Sequence, residues 1–327
     1  MNVETQLHWK QEKEQVHSSR PIRLLILLVS SLPPWMVNIL VFPVAFFYLI
    51  CSKRGRTEAV LYQKQLIAYT HGKRFKVPHP YLQILSFSLC ILEKIEGWSG
   101  KIALDEITFQ HDDIDELKAQ LMNGTGALLI GSHLGNIELC RSLASFNRTG
   151  VDRAVPVIAI MDAQATEQFN KTINNMNPDV SVNIINPSDI GVDTMSRLIE
   201  HTQAGGLVVI AADRTSASVP ERSFEESFLG RPALFPYGPF LIAALLNVPT
   251  YFVFAMRKES AMICPKYNMY VKKTDVKFDC SRSERENRIR ALFKQFVKEL
   301  EKYCIKYPFQ WYNFFNFWAM PGTDSGR

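Results

Sequence analysis

Residues 126–138 read GALLIGSHLGNIE, a short apolar run followed by a serine, a histidine and, five positions after His133, a glutamate. The run has the length and boundaries of a buried strand ending near Ile130, and Asn136 suits the start of a helix. His133 then lies in the turn between strand and helix. Two residues five apart on one helix point about 140° apart, so His133 can meet Glu138 only by folding back over the first helical turn.

Apolar runs and amphipathic segments alternate along the chain after residue 100. This order predicts an α/β fold with a mainly parallel central sheet flanked by helices, whose sites usually lie at the carboxyl ends of strands. Residues 213–237 are expected to be irregular. Strands are predicted at 101–109, 126–131, 155–160, 181–185, 206–212 and 250–257, and helices at 112–124, 137–147, 163–176, 190–203, 238–247 and 282–305.

A long uncharged segment near the N-terminus departs from this pattern, because no charged residue occurs between Leu24 and Cys51. Two prolines divide it and leave Trp35–Cys51, at the low end of what crosses a hydrocarbon core about 30 Å thick. We predict a membrane anchor or an embedded helical hairpin; a pair of core helices is the alternative. Basic residues flank the segment on both sides, namely Arg20, Arg23, Lys53, Arg54 and Arg56.

The domain organisation follows from this change in character. Residues 57–98 show two further helical patterns separated by prolines, and no linker stands out after residue 100. We therefore expect an N-terminal helical membrane-anchor region at 1–100 and a catalytic domain at 101–327.

The composition is that of a globular protein with a mild basic excess, with 47% hydrophobic residues and a formal net charge of +5. Such a charge suits an anionic surface, such as phospholipid headgroups, an acidic carrier protein or nucleic acid. The sequence contains no P-loop, G-x-G-x-x-G, H-E-x-x-H or C-x-x-C motif. Nothing in it therefore indicates a nucleotide or zinc cofactor.

His133 and Glu138 are the leading candidates for catalysis. A histidine with an ordinary pKa near 6.5 can accept a proton at neutral pH, and a carboxylate on its far nitrogen would fix the tautomer and stabilise the imidazolium. No serine or cysteine is clearly presented as a nucleophile, so direct deprotonation of an acceptor hydroxyl is the simpler chemistry. In the alternative interpretation, Asn136 caps the helix, Glu138 interacts favourably with the helix dipole in the first turn, and His133 is an ordinary loop residue.

A second candidate region begins with Asp213 and Arg214, which follow the buried strand predicted at 206–212. An arginine at the end of a strand can hold a phosphate or carboxylate. Arg231 adds charge nearby, and the apolar residues of this stretch suggest a lip over an apolar ligand. We expect Asp213, Arg214 and Arg231 to bind substrate; a surface ion pair in a packed loop is the alternative. The aromatic tail at 307–318 is predicted to close the core or the lip, with membrane contact as a second possibility.

The stretch HLGNIE resembles the motif of a histidine, four residues and an acid that marks the lysophospholipid acyltransferase superfamily. The chain is most similar to the bacterial lipid A biosynthesis (late) acyltransferase branch, where the acid is typically glutamate. The resemblance covers roughly residues 20–320. It includes the N-terminal apolar segment, the strand ending in Asp213-Arg214, the block FLGRPALFPYGPFLIAALLNVP at 228–249 and PFQWYNFF at 308–315.

The resemblance implies an acyltransferase that moves a fatty acyl chain from an acyl carrier protein or coenzyme A thioester to a hydroxyl of a lipid or glycolipid. His133 would be the general base and Glu138 its orienting partner. It also implies no metal and no cofactor beyond the thioester co-substrate, and no nucleic-acid partner. The uncharged segment at 24–51 and its basic flanks predict a place on the cell inner membrane, with the catalytic domain on the cytoplasmic face. The alternatives are a non-catalytic lipid-binding protein on the same fold and a lipid ester hydrolase.

Overall fold

The structure is a computed structural model that describes residues 31–98, 102, 104–110, 113–139, 150–161, 183–215, 222–260 and 265–319. The helix predicted at 163–176, most of the one predicted at 137–147 and the first part of the uncharged segment lie outside these residues.

The described strands form a seven-stranded sheet and a separate two-stranded hairpin. The order in the sheet is β1-β9-β8-β2-β5-β3-β4, and β6 pairs with β7 in the hairpin. Within the sheet β8 and β9 are antiparallel and the other neighbouring pairs are parallel, which confirms the predicted mainly parallel sheet. The strands are β1 Ile107–Phe109, β2 Ala127–Gly131, β3 Val157–Ile160, β4 Asn183–Ile185, β5 Leu207–Ala211, β6 Ser223–Phe228, β7 Arg231–Pro236, β8 Thr250–Arg257 and β9 Tyr267–Lys273.

Helices cover both faces of the sheet. In β2, Leu128 and Ile130 point into one apolar core together with α6 and α7, whereas Leu129 points into the other with α4. This alternation follows from the two-residue period of a strand and explains why the run is apolar at every position. The helices are α1 Pro34–Cys51, α2 Lys53–Tyr69, α3 Pro80–Trp98, α4 Asp113–Met122, α5 Val192–Gln203, α6 Gly238–Leu246 and α7 Arg282–Lys306.

Two sequence predictions are corrected by the structure. The strand predicted at 101–109 is limited to β1, because Leu104–Glu106 form a 3₁₀ turn before it. The stretch predicted to be irregular at 213–237 contains the hairpin of β6 and β7. Its turn places Leu229 in the left-handed region at φ 50°, which is costly for a side chain of this size. The turn is held by Gln65, which donates to the Leu229 carbonyl at 2.6 Å, and by the Glu301 carboxylate, which accepts from the Leu229 amide.

The N-terminal helices are packed onto the rest of the chain. Val37, Val41 and Ala45 of α1 form a small apolar core with α3. Among the described helices none meets the length and hydropathy expected of a membrane span by itself, but α1 and α2, bent by 94° at their junction, meet it as a pair. The outward face of α1 is apolar and exposed; its most exposed members are Val44, Phe46, Phe47 and Ile50.

Candidate active site

Register alone brings two of the predicted site residues together. Strands β2 and β5 are parallel neighbours in which Gly131, the last residue of β2, pairs with Ala211, the last residue of β5. His133 and Asp213 each follow two positions later, so they leave the same edge of the sheet side by side. This edge is where open α/β sheets carry their sites.

Asp213 is the hydrogen-bonding partner of the His133 ring. Nδ1 of His133 lies 2.8 Å from Oδ1 of Asp213, and the His133 backbone amide donates to both carboxylate oxygens at 3.0 Å. The indole N–H of Trp311 donates to Oδ2 at 3.0 Å. Since an ionised carboxylate only accepts, Nδ1 carries the ring proton and the lone pair of Nε2 is left for a substrate proton.

Burial and charge keep this pair in the protonation states that a general base needs. Burial lowers the pKa of His133 below its ordinary value, and Arg214 lowers it further against the opposing effect of Asp213. Burial alone would raise the pKa of Asp213, but His133, Arg214 and the Trp311 hydrogen bond outweigh it and hold the pKa below its ordinary value. At neutral pH the pair is therefore a neutral imidazole on a carboxylate.

The residues after His133 are fixed by close backbone contacts. Gly135 has φ 72°, and a Cβ on it would lie 2.1 Å from the Ala255 carbonyl oxygen, so this position of the motif requires glycine. The next residue, Asn136, donates its backbone amide to the same carbonyl at 2.7 Å. The loop therefore runs against the end of β8, and this contact sets the direction in which His133 leaves β2.

The sequence predicts that Glu138 supplies the carboxylate on His133 Nδ1. In the structure that carboxylate belongs to Asp213. The physical reason lies in the helix start. Asn136 caps it by accepting the Glu138 amide at 3.2 Å, which places Glu138 in the first helical turn, half-buried. The capping role considered for Asn136 is thus confirmed. The catalytic role of Glu138 stays a prediction.

The two predicted arginines take different places. Arg214 directly follows Asp213, donates to the Tyr312 carbonyl at 2.8 Å and lies over the ring of Phe315, so it belongs to the surroundings of His133. Arg231 is exposed at the start of β7 and lies over the indole of Trp318, 5.7 Å from its centroid. Their assignment to substrate binding stays a prediction.

Sequence reasoning missed Gln310 and Trp311 as parts of the site. Trp311 is fully buried, which confirms the core interpretation for this part of the aromatic tail, yet its N–H points at Asp213. Gln310 accepts the Gly135 amide through its backbone carbonyl at 2.8 Å, and the Tyr312 amide donates to the His133 carbonyl at 3.0 Å. The signal available in the sequence is the tryptophan itself, because a buried indole N–H needs a hydrogen-bond acceptor and therefore points to a polar partner in the core.

The arrangement suits proton transfer at His133. Ser132 is buried and its hydroxyl accepts the Leu134 amide at 3.1 Å, so it is engaged in the turn. Over the described ranges, no group of three or more histidine, cysteine or acidic residues is placed to hold a metal ion. The chemistry of these residues is that of a histidine base oriented by a carboxylate.

The fold and the site define an α/β protein whose oriented histidine lies at the carboxyl edge of a mainly parallel sheet. Within this class, the sequence model of the family described as bacterial lipid A biosynthesis acyltransferase matches residues 87–319. The match spans well over half of the chain, and the chain belongs to this family. A comparison with curated proteins found no match.

Proposed function

We propose that the protein transfers a fatty acyl chain from an acyl thioester to a hydroxyl of a lipid or glycolipid, with His133 as general base. The observation that carries this proposal is the 2.8 Å contact of Nδ1 with Asp213, which leaves Nε2 as the proton acceptor. Family membership supports an acyl donor and a lipid acceptor in general. The proposed donor is an acyl carrier protein or coenzyme A thioester.

In the proposed reaction Nε2 of His133 accepts the proton of the acceptor hydroxyl as its oxygen attacks the thioester carbonyl. The C–O bond forms, the tetrahedral intermediate collapses with cleavage of the C–S bond, and the thiolate takes the proton back from the imidazolium. Asp213 stabilises that imidazolium through Nδ1. No covalent acyl-enzyme is needed, and the products are an ester and a free thiol.

The carboxylates and arginines of the site receive distinct roles in this proposal. Asp213, first assigned to substrate binding, is better suited to orienting His133 because it is 1% exposed and already has its hydrogen-bond donors. Arg214 remains the candidate for holding an anionic part of a substrate, since it adjoins the His133–Asp213 pair. Arg231 is a candidate for contacting a substrate from the hairpin. The role of orienting His133 passes from Glu138 to Asp213 in this proposal, and any other catalytic role of Glu138 stays a prediction.

We further propose that α1 docks the protein on the cytoplasmic face of the inner membrane. Phe47 is 68% exposed and Val44 64%, in a helix with an apolar outward face. The basic residues Lys53, Arg54 and Arg56 follow immediately and suit anionic headgroups. A membrane-bound catalyst would meet a lipid acceptor by diffusion within the bilayer.

Product analysis tests the reaction class. Purified protein is incubated with a fatty acyl thioester, with and without a lipid extract of an inner membrane, and products are identified by mass spectrometry. The proposal expects a lipid that gains one acyl chain and depends on the extract. Free fatty acid formed equally in both arms would instead identify a hydrolase, and lipid binding without turnover would identify a binding protein.

A further inference from the structure

A buried ion pair lies next to the catalytic loop and is not used by the proposed reaction. Glu93 of α3 and Arg257 at the end of β8 are 1% and 2% exposed, and the Arg257 Nε–H donates to Glu93 Oε1. A pair this deeply buried is poor evidence for stability, because desolvation of two charges opposes their attraction. A contribution to stability therefore does not by itself explain why this ion pair lies next to the catalytic loop.

The pair contacts the loop that carries His133. The second carboxylate oxygen of Glu93 accepts the side-chain amide of Asn136 at 3.4 Å. Asn136 in turn caps the helix start, and both its backbone amide and Gly135 lie against Ala255, two residues before Arg257. Glu93 thus links α3 to the loop on one side and to the end of β8 on the other.

The same end of β8 is hydrogen-bonded to the C-terminal segment whose Trp311 contacts Asp213. The Gln310 side chain, 1% exposed, accepts the Arg257 amide at 2.9 Å and donates to the Arg257 carbonyl at 2.8 Å. Its backbone carbonyl accepts the Gly135 amide. The next residue, Trp311, donates to Asp213. One connected set of hydrogen bonds therefore reaches both members of the catalytic pair.

We infer that Glu93, Arg257, Asn136 and Gln310 form a positioning unit, the Glu93–Arg257 brace, that fixes His133 against Asp213. The inference rests on the proposed function for its kinetic consequence. None of the four residues need touch substrate; they act through the loop and through Trp311. In this inference the buried charges fix the relative positions of α3, the loop that carries His133 and the end of β8. Their contribution to overall stability is secondary.

The test separates positioning from stability. Glu93→Gln removes the charge of one partner, and the double variant Glu93→Leu/Arg257→Met removes both charges. Because apolar replacement of a buried pair is often neutral or stabilising, the double variant should regain most of the Tm lost by Glu93→Gln. Its kcat should stay reduced by roughly ten- to hundred-fold with KM nearly unchanged, since a small misplacement of a catalytic group is costly.

The matched control is Glu299→Gln. Glu299 of α7 is 5% exposed and pairs with Lys272 of β9 and with Lys302, and neither contact involves the loop that carries His133. This variant should lose Tm and keep kcat. Recovery of kcat together with Tm in the double variant, or an equal kcat loss in the control, would overturn the inference.

A readout independent of activity completes the test. The rate at which diethyl pyrocarbonate modifies His133, followed by mass spectrometry, should rise several-fold in Glu93→Gln and in the double variant but not in Glu299→Gln. Unchanged labelling in Glu93→Gln would overturn the brace even if the double variant did not fold. Failure of the proposed function is recognised separately, because it would appear as unchanged acyl transfer in His133→Ala.

Discussion

The indole N–H of Trp311 donates to Oδ2 of Asp213 at 3.0 Å, although the two residues are 98 positions apart in the chain. The other carboxylate oxygen accepts from His133. The C-terminal tail therefore contributes directly to the orientation of His133, the proposed general base. This relationship gives a polar role to a tryptophan that is fully buried in the tail.

Trp311→Phe is expected to reduce kcat by roughly tenfold, because a hydrogen bond to a charged group contributes about 1.5–3 kcal/mol. The pKa of Asp213 should rise towards its ordinary value, since one of the groups that lower it is removed. Steady-state kinetics of acyl transfer measure the effect. The control is Trp318→Phe, which removes another buried indole hydrogen bond, to the Phe228 carbonyl. Equal loss in both variants would count against the proposed contact.

Asp213→Asn should cost more activity than Glu138→Gln. An amide at position 213 cannot stabilise the imidazolium and favours the wrong tautomer, so we expect a loss of at least about 10²-fold in kcat. The exposed Asp193→Asn serves as a control for charge alone. Near-normal turnover in Asp213→Asn with strong impairment in Glu138→Gln would show that the glutamate is the orienting acid, as the sequence motif suggests.

The dependence of kcat/KM on pH should fall on the acid side with a midpoint below the ordinary histidine pKa of about 6.5. The sign follows from the site: neutral His133 is the active form, and burial lowers its pKa, so it stays neutral to lower pH. A pH–rate profile of the wild-type protein measures this midpoint. A midpoint above the ordinary value would contradict the derived environment of His133.

Stability should also fall on acidification. Below about pH 6.5 the unfolded chain protonates His133 more readily than the folded chain, and at lower pH the same holds for Asp213, whose folded pKa is depressed. Stability from both groups is therefore present at neutral pH and lost as pH decreases. Denaturant unfolding of wild type and Asp213→Asn at several pH values checks this, because below about pH 4, where Asp213 itself titrates, the variant should show a shallower decline.

Charged substitutions on the exposed face of α1 should release protein from membranes. Val44→Asp and Phe47→Asp place carboxylates on the face proposed to enter the headgroup region, whereas Val192→Asp, on the 83% exposed Val192 at the start of α5, is the control. Co-sedimentation with inner-membrane vesicles measures binding. If the wild-type protein stays in the supernatant without detergent, the docking proposal is wrong.

Much of the fold could be predicted from the sequence because its strands are buried on both faces. The runs at β2 and β5 are apolar throughout and β8 is apolar from residue 251 to 256, and such runs indicate strands buried between helix layers. The hairpin could not be recognised, since SFEESF lacks a strict two-residue alternation and its turn uses Leu229 in place of a residue that tolerates positive φ. Contacts with Gln65 and Glu301, distant in sequence, stabilise that turn.

His133 and Asp213 were predictable as members of the candidate site, but their pairing was not, and neither was the participation of Gln310 and Trp311. Both His133 and Asp213 could be identified as following buried strands, yet their contact depends on β2 and β5 being neighbours in register. Strand order is a property of the whole sheet, and no local pattern encodes it. From the sequence alone, the acid nearest to His133 along the chain, Glu138, is therefore the expected partner.

The central claim is that His133 is the general base of acyl transfer, and His133→Ala tests it most directly. General-base assistance contributes roughly 10²–10⁴-fold, about 3–5 kcal/mol of the barrier, so kcat at saturating thioester should fall by that factor. Circular dichroism and Tm establish that the variant is folded. A folded His133→Ala protein that transfers acyl chains at a near-normal rate would contradict the account.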